Sequence, residues 1–533
     1  MKMAVSKRET DVVVIGAGIS GLVAAKCMKE DGFKVTVIER TGEIGGLWTF
    51  REHDYGVMRC THINVSKYNY CFSDFPFPED VADYPHHSDM AKYIVNYAQH
   101  FNLVELISFH TIVTSVIRKG EKWEVVIKSV EDQGHTPQGT EVIYCPFLII
   151  ASGHHAKPSL PKFLGQETFK GEIIHAVDYK DPLTNGLVGK RILIVGIGNS
   201  AVDSAVDCTT VGRCKSVVIS TRSGAWIIPN YIFGFPVDLY ACRAFFLLPW
   251  RWANFILERI IKFVSGDPRR WGLNPKMRAL QTQPTVSPTL IHHIQRKNIK
   301  IVPNIAKIDG DTVHFVNGES GQFDNIIYCT GYKIDLPYLA DDMHSKVLDE
   351  GSNNIKLYKN VFSPALGPSL AFIGFVQPAS GGVLTMSETQ ARWFGQICRG
   401  RVQLPQKHLM EMDMEMEMVA QKDRWYSSAR HTIQRDPIVY NDEIASFFGA
   451  KPDIIKHPAI AWRLLFSSCG AAQWRLQGPG QWNGAAKAVQ KVPLTDLMHY
   501  SGMAFALFTG MILLLLLYIM WYMMSLLFEN FIV

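Results

Sequence analysis

The chain has 533 residues, 47% hydrophobic and 19% charged, which is enough for two or three globular domains with sizeable cores. A formal net charge of +5, dispersed along the chain, argues against nucleic acid as a partner. The ten cysteines stand singly with no C-x-x-C pair, so neither a structural zinc site nor a dithiol redox centre is indicated, and no metal is expected.

Residues 1–10 are polar and charged, so no signal peptide is expected. An apolar, β-branched run at 11–15 then leads into Gly16-Ala17-Gly18-Ile19-Ser20-Gly21, and a helix-compatible stretch follows. In such a strand-turn-helix unit, the first two glycines allow a tight turn and close approach of backbone to a pyrophosphate. The third small residue lets helix pack on strand, and the helix N-terminus faces the phosphates. The next strand, 34–38, ends in Glu39. A carboxylate there accepts from both ribose hydroxyls and repels a 2′-phosphate, which suits FAD or NAD.

The fingerprint recurs at Gly196-Ile197-Gly198-Asn199-Ser200-Ala201, after a similar run at 191–195. Its second strand, 216–219, ends in Ser220-Thr221-Arg222. Hydroxyls and a guanidinium fork fit a phosphate monoester, so NADPH is favoured over NADH. A chain that binds two dinucleotides can pass electrons between them.

Residues 147–153 and 325–332 are apolar strands ending in small-residue turns, each expected to return the chain from an inserted unit to a parallel sheet. The expected fold class is α/β, with two Rossmann-like dinucleotide-binding domains, the second inserted in the first. Residues 10–155 and 330–446 would form the discontinuous first domain and 156–329 the second, whose sheet would start near Lys190. A cleft between them would hold the site.

From 226 to 284 aromatic residues alternate with Arg243, Arg251, Arg259 and Lys262, a pattern that suits a membrane interface and a packed helical subdomain equally. The run 410–418 alternates methionine with acidic residues and reads as a surface helix with a thioether-rich face. After a segment at 447–500, residues 501–528 carry no charge. A helix of about 20 residues spans a bilayer core of roughly 30 Å, so this stretch is expected to be a C-terminal transmembrane helix. Lys487, Lys491 and His499 precede it and Glu529 follows, which puts the body on the cytosolic side of a tail anchor.

The segment Phe169-Lys170-Gly171-Glu172-Ile173-Ile174-His175-Ala176-Val177-Asp178-Tyr179 resembles the F-x-G-x-x-x-H-x-x-x-Y/F signature of flavin-containing monooxygenases, and it lies just before the second glycine motif as in that family. Further similarity covers nearly the whole chain, including Glu39 with Gly45-Gly46-Leu47-Trp48, residues 64–78, 220–226 and 329–332, Gln377-Pro378, and the tail. The branch it most resembles is the animal microsomal one, the N-oxide-forming dimethylaniline monooxygenases.

The resemblance implies FAD at Gly16, Gly18, Gly21, Glu39, Gly46, Leu47, Trp48, Asn64 and Gln377. It implies NADPH at Gly196, Gly198, Asn199, Ser200, Ala201, Ser220, Thr221 and Arg222. NADPH would reduce FAD, and the reduced flavin would add dioxygen at C4a to give a hydroperoxide. That species would oxygenate soft nucleophilic nitrogen or sulfur in small lipophilic compounds, a reaction of xenobiotic metabolism. Asn64 is the implied catalytic residue, its amide donating to the peroxide or orienting it. Asn199 would lie near the nicotinamide and Gln377 near the isoalloxazine, while His175 would pack at the domain junction. The implied location is the endoplasmic reticulum membrane, with substrate, dioxygen and membrane lipid as partners, and an oligomer is compatible with all of this.

Some positions depart from the family pattern. Met58-Arg59-Cys60 stands where relatives often carry Tyr-Lys-Ser, which puts the flavin-side pocket in question, and Ser223 replaces a basic residue. Residues 272–280 resemble the subgroup that forms esters by Baeyer–Villiger oxidation, although Met277 stands where that subgroup often has histidine. Ester formation from ketones or aldehydes is therefore an alternative. Readings from other classes are a pyridine-nucleotide disulfide reductase, which needs a dithiol, and an NADPH oxidase-like or non-enzymatic membrane-tethered redox sensor.

Overall fold

A computed structural model describes residues 6–130, 139–155, 157–349, 353–426, 433–496 and 510–520. Two five-stranded sheets, parallel throughout, organise the chain. The first runs in the order Leu370–Phe372, Phe147–Ile150, Val12–Ile15, Val35–Ile38, Ile107–Ser108. All four residues of Val12–Ile15 are buried, as expected for a parallel strand covered on both faces. The helix Ile19–Glu30 lies against the helix Val383–Cys398, whose interior positions are almost entirely buried.

The second sheet runs Glu172–His175, Asn325–Tyr328, Arg191–Val195, Ser216–Ser220, Ile299–Val302. Its first strand in sequence is therefore Glu172–His175, inside the signature segment, and not a strand near Lys190. The β-branched pair Ile173-Ile174 favours extended backbone there. Both sheets follow one plan. In each, three antiparallel strands precede the strand that returns beside the glycine-loop strand: Thr111–Lys119, Lys122–Ser129 and Thr140–Cys145 before Phe147–Ile150, and Ile305–Asp309, Thr312–Phe315 and Ser320–Gln322 before Asn325–Tyr328. The run at 325–332 thus closes the second sheet, and the chain rejoins the first only at Leu370–Phe372.

The segment 226–284 has two sides. Trp226, Ile228, Ile232, Ile261 and Ala279 form a small core of their own. The helix Trp250–Ser265 buries Ile261 in that core and leaves Trp252 63% and Phe263 83% exposed on its outer face. The methionine-rich run lies on the helix Lys407–Arg424, with Met412, Met416 and Met418 exposed.

Residues 447–496 are tied to the body through Arg475, which is buried and pairs with Glu388 and Asp74 while donating to Ser73 Oγ at 2.7 Å. Residues 510–520 are helical, and 511–520 are exposed. Most of the expected transmembrane stretch at 501–528 lies outside the described residues. Among the described residues no helix is long and apolar enough to cross a membrane.

Candidate functional site

Each glycine loop is built by clashes that a side chain would cause. Gly16 has φ +104°, and a Cβ there would lie 2.7 Å from the Ala151 carbonyl oxygen. A Cβ on Gly21 would lie 1.8 Å from the Gly16 carbonyl oxygen, whereas the equivalent third position of the second loop accommodates the methyl of Ala201, which is fully buried. The helices Ile19–Glu30 and Asn199–Thr210 both start from a glycine N-cap with no side-chain cap and no acidic residue in the first turn. Their first-turn amides and the positive ends of the helix dipoles suit a pyrophosphate. Across the first loop, a Cβ on Gly46 would lie 3.0 Å from Gly18 Cα, so both backbones are bare where they approach.

Glu39 closes the first cradle. Its Oε2 accepts the Ala17 amide at 2.7 Å, and Oε1 accepts the amide and hydroxyl of Thr41, each at 2.9 Å. A carboxylate has about four lone-pair positions, so capacity for a ribose hydroxyl remains. At the second cradle the three polar residues divide. The Ser220 hydroxyl, in a residue only 1% exposed, donates to Pro303 O at 2.9 Å, and Thr221 Oγ1 accepts Gly224 N at 3.1 Å. Arg222 is exposed and makes no ion pair or hydrogen bond among the described residues. The Ser220 proton is spent and shapes the strand end, whereas the Thr221 hydroxyl accepts and keeps its own proton, so the Arg222 guanidinium and the Thr221 hydroxyl remain as donors to a 2′-phosphate.

The two cradles open into one cavity of about 1440 Å³, which Gly16, Gly18, Glu39, Gly46, Leu47 and Trp48 line from the first unit and Gly198, Asn199 and Ser200 from the second. Gly21, Gly196, Ala201 and the 220–222 strand end lie outside the lining; the first three support the loops from behind. Asn64 lines the cavity half-buried, and its amide makes no hydrogen bond among the described residues. Gln377 also lines it, with Nε2 donating to Gln283 Oε1 at 2.7 Å across the seam between the units. Asn199 Oδ1 accepts Val286 N at 2.9 Å, which pins the second loop.

The cavity continues along one face of the helix Asn199–Thr210, past Asp203, Val206, Asp207 and Thr210, opposite Met58 and Cys60. Met58 packs in the second unit's core and Arg59 pairs with Asp181 at 2.9 Å, so residues 58–60 stand at the seam between the units, with Met58 and Cys60 on the cavity wall. Burial, with the charge of Asp207 added, pushes the Asp203 carboxyl up to about 7. His154, another wall residue, is within 3.1 Å of Gly374 O through Nδ1, and burial brings it down to about 4. His175 Nδ1 accepts Val177 N at 3.2 Å while Nε2 lies 3.1 Å from Gly331 O; burial lowers its pKa, and it packs as a neutral ring against Tyr332. His154, Gln283 and Asp203 carry no sequence signal of their own; the glycine-rich turn after a sheet strand is the one cue that pointed near His154.

Residues 9–497 match the family described as flavin-binding monooxygenase-like. The chain belongs to this monooxygenase family. It is 36% identical over 502 residues to flavin-containing monooxygenase 5 of Homo sapiens, covering 90% of this chain and 91% of that protein. It is 35% identical over 503 residues to dimethylaniline monooxygenase (N-oxide-forming) 2 of Oryctolagus cuniculus, covering 90% of each. Among solved structures, S-allyl-L-cysteine S-oxygenase from Allium sativum superposes with a TM-score of 0.60 at 22% identity, over 82% of this chain and 88% of that one. A crystal structure of OTEMO in complex with FAD and NADP gives 0.61 at 18% identity, over 82% and 97%. These two share the fold. The family membership makes the chain an oxidoreductase, a monooxygenase that depends on FAD and NADPH, and sets aside the disulfide reductase and the non-enzymatic sensor.

Proposed function

We propose that this flavin-binding monooxygenase oxygenates soft nucleophilic nitrogen or sulfur centres of small lipophilic compounds. The observation that carries the reading is the shared cavity: both dinucleotide cradles open into it beside the unspent amide of Asn64. FAD, once reduced by NADPH, supplies the activated oxygen there. The chain's own residues bind, orient and exclude water. The N-termini of Ile19–Glu30 and Asn199–Thr210 would hold the two pyrophosphates and Glu39 the FAD ribose, while Gly46, Leu47 and Trp48 line the cavity beside the first loop. Arg222 would take the 2′-phosphate of NADPH, and Asn64 would present its amide to the reacting space.

In this arrangement residues 10–155 and 330–446 hold FAD and 156–329 hold NADPH. An amine or thioether brings its own lone pair and needs no general base. The names of two related proteins, an N-oxide-forming monooxygenase and an S-oxygenase, support that substrate class. Ester formation is the second reading, because cyclohexanone monooxygenase shares the fold with a TM-score of 0.58. Residues 272–280 do not line the cavity and lend that reading no group at the reacting space.

The test uses the holoenzyme with NADPH, labelled dioxygen, and in turn a tertiary amine, a thioether and a linear ketone. N-oxide or sulfoxide carrying one labelled oxygen supports the proposal. Ester alone transfers it to the second reading, and NADPH consumption without any oxygenated product overturns both.

The same reading places the body on the cytosolic face of the endoplasmic reticulum, anchored by residues 501–528. The exposed apolar helix at 510–520 supports the anchor, and the exposed Trp252, Phe255 and Phe263 beside Arg251 and Arg259 suit a second contact at the headgroup level. Alkaline extraction of membranes checks it: the full chain stays with the pellet and a chain ending at residue 497 is released. Release of both removes the anchor from the proposal.

A further inference from the structure

We infer that Cys208 and Cys214 form a redox-active pair that a hydroperoxide closes to a disulfide. The two are six residues apart and look unrelated in sequence. After the helix Asn199–Thr210 the chain folds back on itself: Val211 N and Gly212 N both donate to Asp207 O, at 2.9 and 3.1 Å, Arg213 takes φ +42°, and Cys214 N donates to Cys208 O at 3.0 Å. A direct backbone hydrogen bond between two residues sets their Cα atoms about 5–6 Å apart, inside the range that disulfides span.

The two thiols interact as well, each shifting the titration of the other. Cys214 Sγ also lies 3.2 Å from Leu187 O, and a Cβ built on Gly212 would come within 3.1 Å of it. Both thiols are in the free form.

The two sites differ as an attacking and a resolving thiol should. Cys214 is half-buried between the exposed Arg213 and Lys215, where a hydroperoxide can reach it, and its interaction with the Cys208 thiol lowers its pKa. Cys208 is fully buried, and its thiol is pushed up by the interaction with Cys214 and by burial. The Cys214 thiolate attacks the outer oxygen of the hydroperoxide; an S–O bond forms, the O–O bond breaks, and the alcohol or water leaves with the proton. Cys208 sulfur then attacks Cys214 sulfur; the S–S bond forms, the S–O bond breaks, and water leaves. Two thiols lose two electrons in all, and the hydroperoxide gains them.

The pair sits about 14 Å along the helix from the second glycine loop, so it is no dithiol partner of the flavin. It does reach the cavity wall. Tyr179 OH donates to Asp207 Oδ2 at 2.9 Å and lies 3.7 Å from Cys208 Sγ, and Asp207 lines the cavity.

The experiment treats the full-length holoenzyme with hydrogen peroxide, blocks remaining thiols by alkylation and maps the peptides. The expected result is a dithiothreitol-reversible 208–214 cross-link with loss of two hydrogens, forming about tenfold faster than any loss of the buried thiols Cys71 and Cys145. Cys214→Ser abolishes it, and Cys208→Ser leaves a sulfenic acid at Cys214 that dimedone traps. FAD content and thermal melting check that both variants fold, and the wild-type peptide map decides if either does not. Two alkylatable thiols at 208 and 214 after a dose that oxidises other cysteines would overturn the inference.

Discussion

Asp238 accepts both the backbone and the side chain of Ser66, N to Oδ1 at 3.0 Å and Oγ to Oδ2 at 2.6 Å, and takes a third bond from Asn69 Nδ2 at 2.7 Å. Ser66 lies two residues beyond Asn64, and Asp238 belongs to the 226–284 segment, so that segment holds the loop that carries the unspent amide. Asp238 is buried, and burial raises its carboxyl above the usual range against the pull of these donors. In Asp238→Asn one of the three donors meets an NH2 group and is left unsatisfied, at a cost of about 1–3 kcal/mol. The expected outcome is a lower melting temperature together with a fall in kcat, while KM for NADPH stays near its original value because the second glycine loop is untouched. Steady-state kinetics and a thermal melt check it; a lower melting temperature with unchanged kcat would show that the loop holds its place without Asp238.

The third position of the two fingerprints predicts opposite tolerances. Gly21→Ala puts a methyl 1.8 Å from the Gly16 carbonyl oxygen, a contact that only backbone movement relieves. The variant is expected to lose most of its FAD, read from the ratio of flavin absorbance to protein. Ala201→Gly removes a methyl that the second loop already accommodates, and its expected cost is the helix preference of about 1 kcal/mol, with FAD content unchanged. Full flavin occupancy in Gly21→Ala would contradict the tight packing of the first loop.

These features were not equally legible in the sequence. The strand-turn-helix units at 12–30 and 191–210 and the acid at Glu39 were, because each is a local pattern in which a few neighbouring residues fix the backbone. The strand by which the chain rejoins the first sheet, Leu370–Phe372, was not, since three apolar residues carry neither a period nor a turn that singles them out. Ser220 looked like a phosphate ligand because a strand-end hydroxyl gives no sign of a carbonyl such as Pro303 O waiting across the sheet. The contacts Asp238 to Ser66, Gln283 to Gln377 and Arg475 to Glu388 join segments far apart in the chain, and single positions carry no period or motif that announces such a partner. Even the near pair Cys208 and Cys214 was hidden, because it depends on the positive φ of Arg213 that folds the chain back.

Arg222 is the charged donor at the second cradle available to a 2′-phosphate, the Ser220 proton being spent on Pro303 O. Arg222→Ala is expected to raise KM for NADPH by about 10–100-fold, the worth of one or two charge-assisted hydrogen bonds, and to leave KM for NADH within about twofold. Lysine at the same position keeps the charge without the fork and should recover part of the loss. Equal weakening of both nucleotides would mean that Arg222 supports the loop rather than reading the phosphate.

Asp203 gives the folded protein a pH dependence of definite sign. Its carboxyl titrates near 7 because burial and the neighbouring Asp207 both disfavour its charge, whereas an unfolded chain ionises it near 3.9. Between about pH 4 and pH 7 the native state therefore holds a proton that the unfolded state has released, and unfolding free energy falls as pH rises through this window. Below it both states are protonated and the contribution is fully present; above it both are ionised and the loss is complete. Asp203→Asn keeps the shape and removes the titration, so its stability should change less between pH 5 and pH 8 and exceed that of the wild type by about 1–3 kcal/mol at pH 8. Urea unfolding of both proteins at pH 5, 6, 7 and 8 measures this. A wild-type stability that rises relative to Asp203→Asn across that range would mean that Asp203 is ionised and favourably paired in the folded cavity.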